Sequence, residues 1–315
     1  MEGDCASEFL GGVELGGTKT VVAVGRIGAG RVAEPVVEER FPTGGPEETL
    51  AHVAGFFAEQ AAAGHRAGAL GVGAFGPVEL RRASPRWGCV GATPKPGWTG
   101  TDVAGALGRA LGVPVALDTD VNAAALAEGC LGAATGLASF VYLTVGTGIG
   151  GGAVVDGRTV HGLVHPEIGH LSVPRLAGDG YPGCCPFHGD CLEGMASGPA
   201  LAARCGRPAE ELTGAAAAEA ARIAAWYLAA GLRNVVYALA PQRIVVGGGV
   251  AALPGLFPLL RRALAAQLAG YPGLPEHAAP GFVVPAALGR RAGVVGALLL
   301  AAEAAAPAAA AVPRA

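Results

Sequence analysis

This sequence is short of charge. Asp, Glu, Lys and Arg make up only 15% of its 315 residues, and the formal net charge is −3. Nucleic-acid binding needs clustered Lys and Arg, and the pairs Arg81–Arg82, Arg261–Arg262 and Arg290–Arg291 are too isolated to form a patch. Aromatic residues are also scarce at 5%, whereas hydrophobic residues reach 51% and glycine alone supplies 53 positions. Cores of this composition rest on close backbone approach and small side chains. A membrane span is missing as well. The longest uncharged stretch runs between Glu128 and Asp156, and its length alone would allow one. It is broken by Gly146, Gly148, Gly150, Gly151 and Gly152, the pattern of strand, turn and strand. Glu2, Asp4 and Glu8 precede the first apolar run, which argues against a secretory signal. The expectation is a cytoplasmic protein with neither a membrane nor a nucleic acid as partner. Seven cysteines, an odd number in a large chain without an export signal, speak against a disulfide framework.

What is present is an alternation of strands and helices, the mark of an α/β protein. Gly11 to Val24 reads as strand, turn, strand, and Pro46 to Gly64 as a helix opened by Pro46, Glu47 and Glu48. Ala69–Gly73 and Val113–Leu117 are expected strands, with Asp102–Leu111 and Asn122–Leu131 as helices. Phe140–Val145 and Gly152–Val155 form a second strand pair around glycines. A long Ala-rich helix over Ala215–Leu239 precedes the strand Arg243–Val246 and a helix over Leu256–Leu268. Ala292–Ala305 is a closing helix, and 306–315 is expected to be a disordered Ala/Pro tail. The two glycine turns, near residues 16 and 148, suggest two related halves.

Several motifs carry chemistry. Glu14-Leu-Gly16-Gly17-Thr18-Lys19 puts consecutive glycines, a hydroxyl and a cation between two strands, where backbone N–H groups can approach phosphate oxygens. It is not a Walker A loop, and a plain type I′ hairpin turn would account for it equally well. Thr144-Val-Gly146-Thr147-Gly148, within a run of five glycines, is a second such cradle, and two together are more specific than one. Gly71-Val-Gly73-Ala-Phe-Gly76-Pro77 matches a dinucleotide fingerprint by letter only. No helix follows it and no acid stands about twenty residues on, so a tight loop lining a cleft fits better. Asp118-Thr119-Asp120-Val121-Asn122 stands between a strand and a helix. A carboxylate there can take a proton from a hydroxyl that attacks a phosphoryl group, and Asn122 can bond a polyol. Helix capping by Asp118 or Asp120 is the alternative. Gly247, Gly248 and Gly249 end a buried strand and suit a nucleotide base or ribose lying on bare backbone, or a simple turn.

His165-Pro-Glu167-Ile-Gly-His170 is followed by Cys184, Cys185, His188 and Cys191. His170, Cys185, His188 and Cys191 give the four soft or borderline ligands of a closed tetrahedral zinc site. Cys184 could compete with Cys185, and small buried cysteines beside surface histidines are the other reading. Glu167 and Glu193 flank the ligands, so a structural Zn2+ could position them.

Taken together, in order and spacing over about residues 11–302, these motifs resemble the ROK family of sugar kinases and sugar-responsive repressors. Ala92-Thr-Pro-Lys95-Pro-Gly97-Trp98, Thr119-Asp120-Val-Asn122 and the His165–His170 stretch are most similar to the bacterial zinc-containing fructokinases. The resemblance implies an actin/hexokinase-like (ribonuclease H-like) duplicated fold with two lobes and an active-site cleft between them. It implies 1–116 as a small lobe, with the helix 292–305 packed on it. Residues 117–291 would then form a large lobe bearing a zinc insertion over 165–193. It further implies ATP and Mg2+ as cofactors, with Glu14, Gly16, Gly17, Thr18 and Lys19 facing phosphates and magnesium. Thr144, Gly146, Thr147 and Gly148 would form the second phosphate loop, and Gly247, Gly248 and Gly249 would cradle adenosine. Asp120 would activate the 6-hydroxyl of a hexose, fructose being favoured by Thr119 and His188. Asn122, Glu167, His170 and Glu193 would hold the sugar, with Gly76 and Pro77 lining its pocket, and the enzyme would be a homodimer. A gluco-, manno- or N-acetylhexosamine kinase is the alternative. About ten residues precede the first strand, too few for the helix-turn-helix of repressor members.

Overall fold

The computed structural model describes residues 9–27 and 33–305; the expectations for the acidic N-terminal residues and for a tail over 306–315 lie outside the described residues. In chain order the elements are β1 (Phe9–Leu15), β2 (Lys19–Ile27), β3 (Ala33–Pro42), α1 (Pro46–Ala62), β4 (Ala67–Ala74), α2 (Val103–Leu111), β5 (Val115–Thr119) and α3 (Asp120–Leu131). There follow β6 (Phe140–Val145), β7 (Ile149–Val155), β8 (Arg158–Thr159), α4 (Leu192–Ala196), α5 (Gly198–Cys205), α6 (Gly214–Leu239), β9 (Ile244–Gly247), α7 (Leu256–Leu268), β10 (Val283–Pro285) and α8 (Ala292–Ala305). Among the described residues no helix is long and apolar enough to cross a membrane.

Compactness divides the described residues into two units, one of 9–27, 33–130, 161–165 and 291–305, the other of 131–160 and 166–290. The first unit by compactness runs to Cys130, whereas the resemblance implies a small lobe of 1–116. The reason is pairing: β5 lies parallel to β4, which keeps β5 and the helix leaving it with the first sheet.

The first unit is built on a sheet of order β3-β2-β1-β4-β5, and the second on a sheet of order β10-β9-β6-β7-β8. Read from the other edge, the second order is β8-β7-β6-β9-β10, so β6 to β10 repeat the topology of β1 to β5. Both sheets combine an antiparallel meander with parallel strands on its far side. This is the duplication that the two glycine turns suggested.

Period-two alternation decides what each face of the first sheet buries. Val13, Leu15, Val22 and Val24 pack with Phe56 and Phe57 of α1, whereas Leu10, Val21 and Ala23 pack with Val294 and Leu298 of α8. Helix α8 seats so closely that a Cβ at Gly71 would stand 1.9 Å from the Ala297 carbonyl oxygen. Gly71 is thus a packing glycine, and the helix after β4 is α2, which begins only at Val103. That disposes of a dinucleotide loop at residues 71–76. In the second unit, Leu143, Val145, Ile244 and Val246 bury against Ala221, Leu228 and Leu232 of α6.

Candidate active site and metal centre

In the first unit three parallel strands end side by side. The register sets Glu14 of β1 beside Gly73 of β4, and Gly73 beside Asp118 of β5. The Gly16–Thr18 turn, the Gly76–Pro77 turn and Asp120 therefore leave the sheet at one edge. The carboxyl ends of parallel strands are where α/β sheets bind ligands. No residue from Gly16 to Lys19 has a positive φ, which excludes the type I′ hairpin that was the competing explanation. The turn is instead held from below. The Gly16 N–H donates to the Lys19 carbonyl at 3.1 Å, and the Thr43 hydroxyl donates to the Gly16 carbonyl at 2.8 Å. Gly17, Thr18 and Lys19 lie exposed at its tip.

Glu14 points to the α8 face, as its place in the alternation requires. Burial raises its carboxyl above the usual carboxylate range, with Lys19 pulling it back less strongly. Its Oε2 is buried and has no hydrogen-bond partner. An anionic oxygen in that state needs a cation or a proton, so the residue suits a metal-bearing phosphate ligand.

Asp120 opens α3 directly after β5 and is half-buried, its Oδ1 accepting from the Val121 N–H at 2.9 Å. Thr119 is buried, and its hydroxyl oxygen accepts from the Asn122 N–H at 3.1 Å, so Thr119 caps the helix. Asn122 is bonded to its own corner. It is 1% exposed, and its amide nitrogen donates to Asp118 Oδ1 at 2.7 Å, while its own Oδ1 is buried with no hydrogen-bond partner. Asp118 also accepts from the Thr119 N–H at 2.8 Å and from His161 Nε2 at 3.0 Å. Two histidines of the segment 161–165 were not assigned from sequence. The second, His165, accepts at Nε2 from the Val78 N–H, 3.2 Å away, just beyond Pro77. A lone histidine in an uncharged loop gives no sequence signal of such a partner.

In the second unit the register puts Thr144 of β6 beside Gly247 of β9, so the second glycine turn and the Gly247–Gly249 run are neighbours. Gly248 has φ 88°, and a Cβ there would stand 2.3 Å from the Val145 carbonyl oxygen. Only glycine fits that bend. The Gly146 N–H donates to the Gly148 carbonyl at 2.9 Å, and the Ile149 N–H donates to Glu193 Oε2 at 2.9 Å. Glu193 thus ties α4 to the turn. Glu167 lies at the surface, but partial desolvation of its carboxyl, and after it the nearby charge of Glu193, pushes it up to about 7.

The same unit carries a compact donor cluster. One ligand atom from each of His170, Cys185, His188 and Cys191 falls within 4.8 Å of the others. His170 Nδ1 is 3.7 Å from Cys185 Sγ and 3.6 Å from Cys191 Sγ, and His188 Nδ1 is 3.8 Å from Cys185 Sγ. A tetrahedral zinc with bonds of about 2.3 Å to sulfur and about 2.0 Å to nitrogen spaces such atoms by roughly 3.5 Å. The donor set and its spacing therefore fit zinc. Cys184 is exposed, with its Sγ 3.9 Å from the Ser197 hydroxyl and outside the cluster. With burial opposing ionisation, the Cys191 thiol is pushed up to about 11, so a metal would have to displace its proton.

The loop bearing these residues is fastened by a second cluster that the sequence did not disclose. Arg204 of α5 pairs with Asp179 at 2.8 Å, both side chains under a tenth exposed, and the Tyr227 hydroxyl of α6 also donates to Asp179. The Arg204 guanidinium lies over the Tyr181 ring at 4.2 Å.

The model of the ROK family matches residues 10–304. A protein of Zymomonas mobilis named fructokinase is 42% identical over 296 residues, covering 93% of this chain and 96% of that one. A fructokinase of Pediococcus pentosaceus is 37% identical over 293 residues, covering 93% and 97%. Among solved structures, a ROK family glucokinase from Streptomyces griseus in complex with glucose and AMPPNP superposes with a TM-score of 0.72. It is 28% identical and covers 94% of this chain and 99% of that one.

Proposed function

The chain belongs to the ROK family and has its actin/hexokinase-like fold, and from that premise we propose that it is an ATP-dependent fructokinase. The reaction transfers the γ-phosphoryl group of ATP to the 6-hydroxyl of fructose, giving fructose 6-phosphate and ADP. The observation that carries this reading is Asp120 at the same sheet edge as the Gly16–Thr18 turn and the Gly76–Pro77 turn. Kinship to proteins named fructokinase supports the sugar.

Phosphoryl transfer leaves the protein little covalent chemistry to do; it positions the groups and neutralises charge. Asp120 Oδ accepts the proton of the sugar hydroxyl as its oxygen bonds to phosphorus, and ADP departs with the bridging oxygen. The backbone of Gly16–Thr18 and the Lys19 ammonium receive phosphate oxygens, as do the Thr144–Gly148 turn and the Thr147 hydroxyl. Gly247–Gly249 offers bare backbone to the adenosine. Glu14, with its orphaned buried oxygen, would hold magnesium, which supplies charge neutralisation on the phosphates. Glu167 and Glu193 hold sugar hydroxyls; a Glu167 carboxyl near half-protonation at neutral pH can both donate and accept. The Cys185–Cys191 cluster would hold a structural zinc that keeps the loop carrying Glu167 and His170 in place.

A glucokinase is the competing reading, favoured by the glucose-bound Streptomyces griseus structure. Initial rates of ADP formation with fructose, mannose, glucose and N-acetylmannosamine separate the two. Fructose should give the highest kcat/KM; a higher value with glucose would overturn the sugar assignment, and no ADP with any hexose would overturn the kinase.

A further inference from the structure

Resting on the assignment of Asp120 as the base, we infer that His161 is a positioning residue that anchors the β5–α3 corner on which Asp120 is mounted. The anchor acts through Asp118. This carboxylate is 3% exposed and accepts from three directions: the Thr119 N–H, the Asn122 amide and His161 Nε2. Two of these donors flank Asp120 in sequence and belong to the corner itself. Of these three donors His161 is the one from elsewhere, reaching Asp118 Oδ1 and Oδ2 at 3.0 Å each.

The protons follow from the geometry. Both Asp118 oxygens are acceptors for His161, so Nε2 carries a hydrogen. Asn122 Nδ2 lies 3.3 Å from that same Nε2, but with Nε2 protonated both are donors and neither accepts from the other, so both aim at the shared carboxylate. Turning the amide over would set Asn122 Oδ1 against Asp118, so the orientation with Nδ2 inward is the one that holds. His165 uses the opposite arrangement, its Nε2 lone pair accepting the Val78 N–H. Between the two histidines, Leu163 and Val164 are 78% and 63% exposed. Apolar burial therefore does not hold segment 161–165; its two imidazoles do, one at the Asp120 corner and one beside the Gly76–Pro77 turn.

Removing His161 leaves the Thr119 and Asn122 donors on Asp118, so the fold persists while the corner loses this tie. A base displaced by a fraction of an ångström costs rate and not nucleotide affinity. His161→Ala should lower kcat about 10- to 100-fold while KM for ATP and the melting temperature stay near wild type. Hydrogen exchange should quicken in a peptide spanning 115–122. His161→Gln, whose amide nitrogen has a similar reach and a donor hydrogen, should restore most of the rate and the protection. Wild-type kcat with unchanged exchange in His161→Ala would overturn the inference. So would a loss confined to KM for fructose, which would make His161 a direct sugar contact, or a rate loss matched by unfolding that His161→Gln leaves unrepaired. Asp120→Asn in the same assay separates the two levels. An active Asp120→Asn removes the base assignment, while the exchange measurement still judges the anchor.

Discussion

Asp118 and Asn122 stand two residues to either side of Asp120 and hydrogen-bond to each other at 2.7 Å. The strand end and the first turn of the helix are thus stapled behind the residue between them. Asp120 is left half-buried at the sheet edge where the Gly16 turn also emerges. A carboxylate mounted this way has a fixed origin for its side chain, which a proton acceptor in phosphoryl transfer requires.

The cysteine cluster should bind about one zinc per chain, as its four donors and tetrahedral spacing require. His188→Ala or Cys191→Ser should lose the metal and lower the melting temperature, as elemental analysis and thermal unfolding of the same samples would register. Cys184→Ser should retain the metal, because Cys184 Sγ lies toward Ser197. A folded, active sample without zinc would remove the site.

Asp179 is held well below the usual carboxylate range, first by the Arg204 guanidinium and then by the Tyr227 hydroxyl. Breaking a buried pair strands its partner, so Asp179→Asn should cost about 3 kcal/mol. The folded-state pKa is depressed, so the stabilisation is present above the unfolded pKa of about 3.9 and is lost as pH falls. Denaturant unfolding at pH 7 and at pH 3 should show the gap between wild type and variant shrinking in acid.

Glu167 behaves in the opposite sense. Its carboxyl is raised from 4.5 to about 7 by partial desolvation and by Glu193. In that window the folded protein holds a proton that the unfolded chain has released, so stability falls as pH rises through it. Glu167→Gln should gain stability at pH 8 and none at pH 4, the gain being small because Glu167 lies at the surface. Thermal unfolding across that range checks it. The same variant should raise KM for the sugar.

Much of the architecture was legible because local pattern and final structure agree. Val21–Val24 alternate between the α1 and α8 faces, Pro46 opens α1, and the Ala-rich run from Gly214 forms α6. The donor spacing of His170, Cys185, His188 and Cys191 was legible for the same reason, since ligands close in sequence converge locally. What escaped depends on partners distant in the chain. β3 carries Glu38, Glu39 and Arg40, has no fully buried side chain between 35 and 42, and is a strand because β2 pairs with it. Asp179 finds Arg204 and Tyr227, and Asp118 finds His161 43 residues away, with no periodicity to announce either. Nor did the sequence show that the Asn122 amide bonds to Asp118.

The most direct test of the kinase assignment is the rate of fructose phosphorylation by Asp120→Asn, measured beside fructose and ATP binding by the same protein. Loss of a general base costs about 10²- to 10⁴-fold. The expected result is a fall of that size in kcat with both ligands still bound and the fold intact. A variant that turns over at the wild-type rate would contradict the assignment of Asp120 as the base.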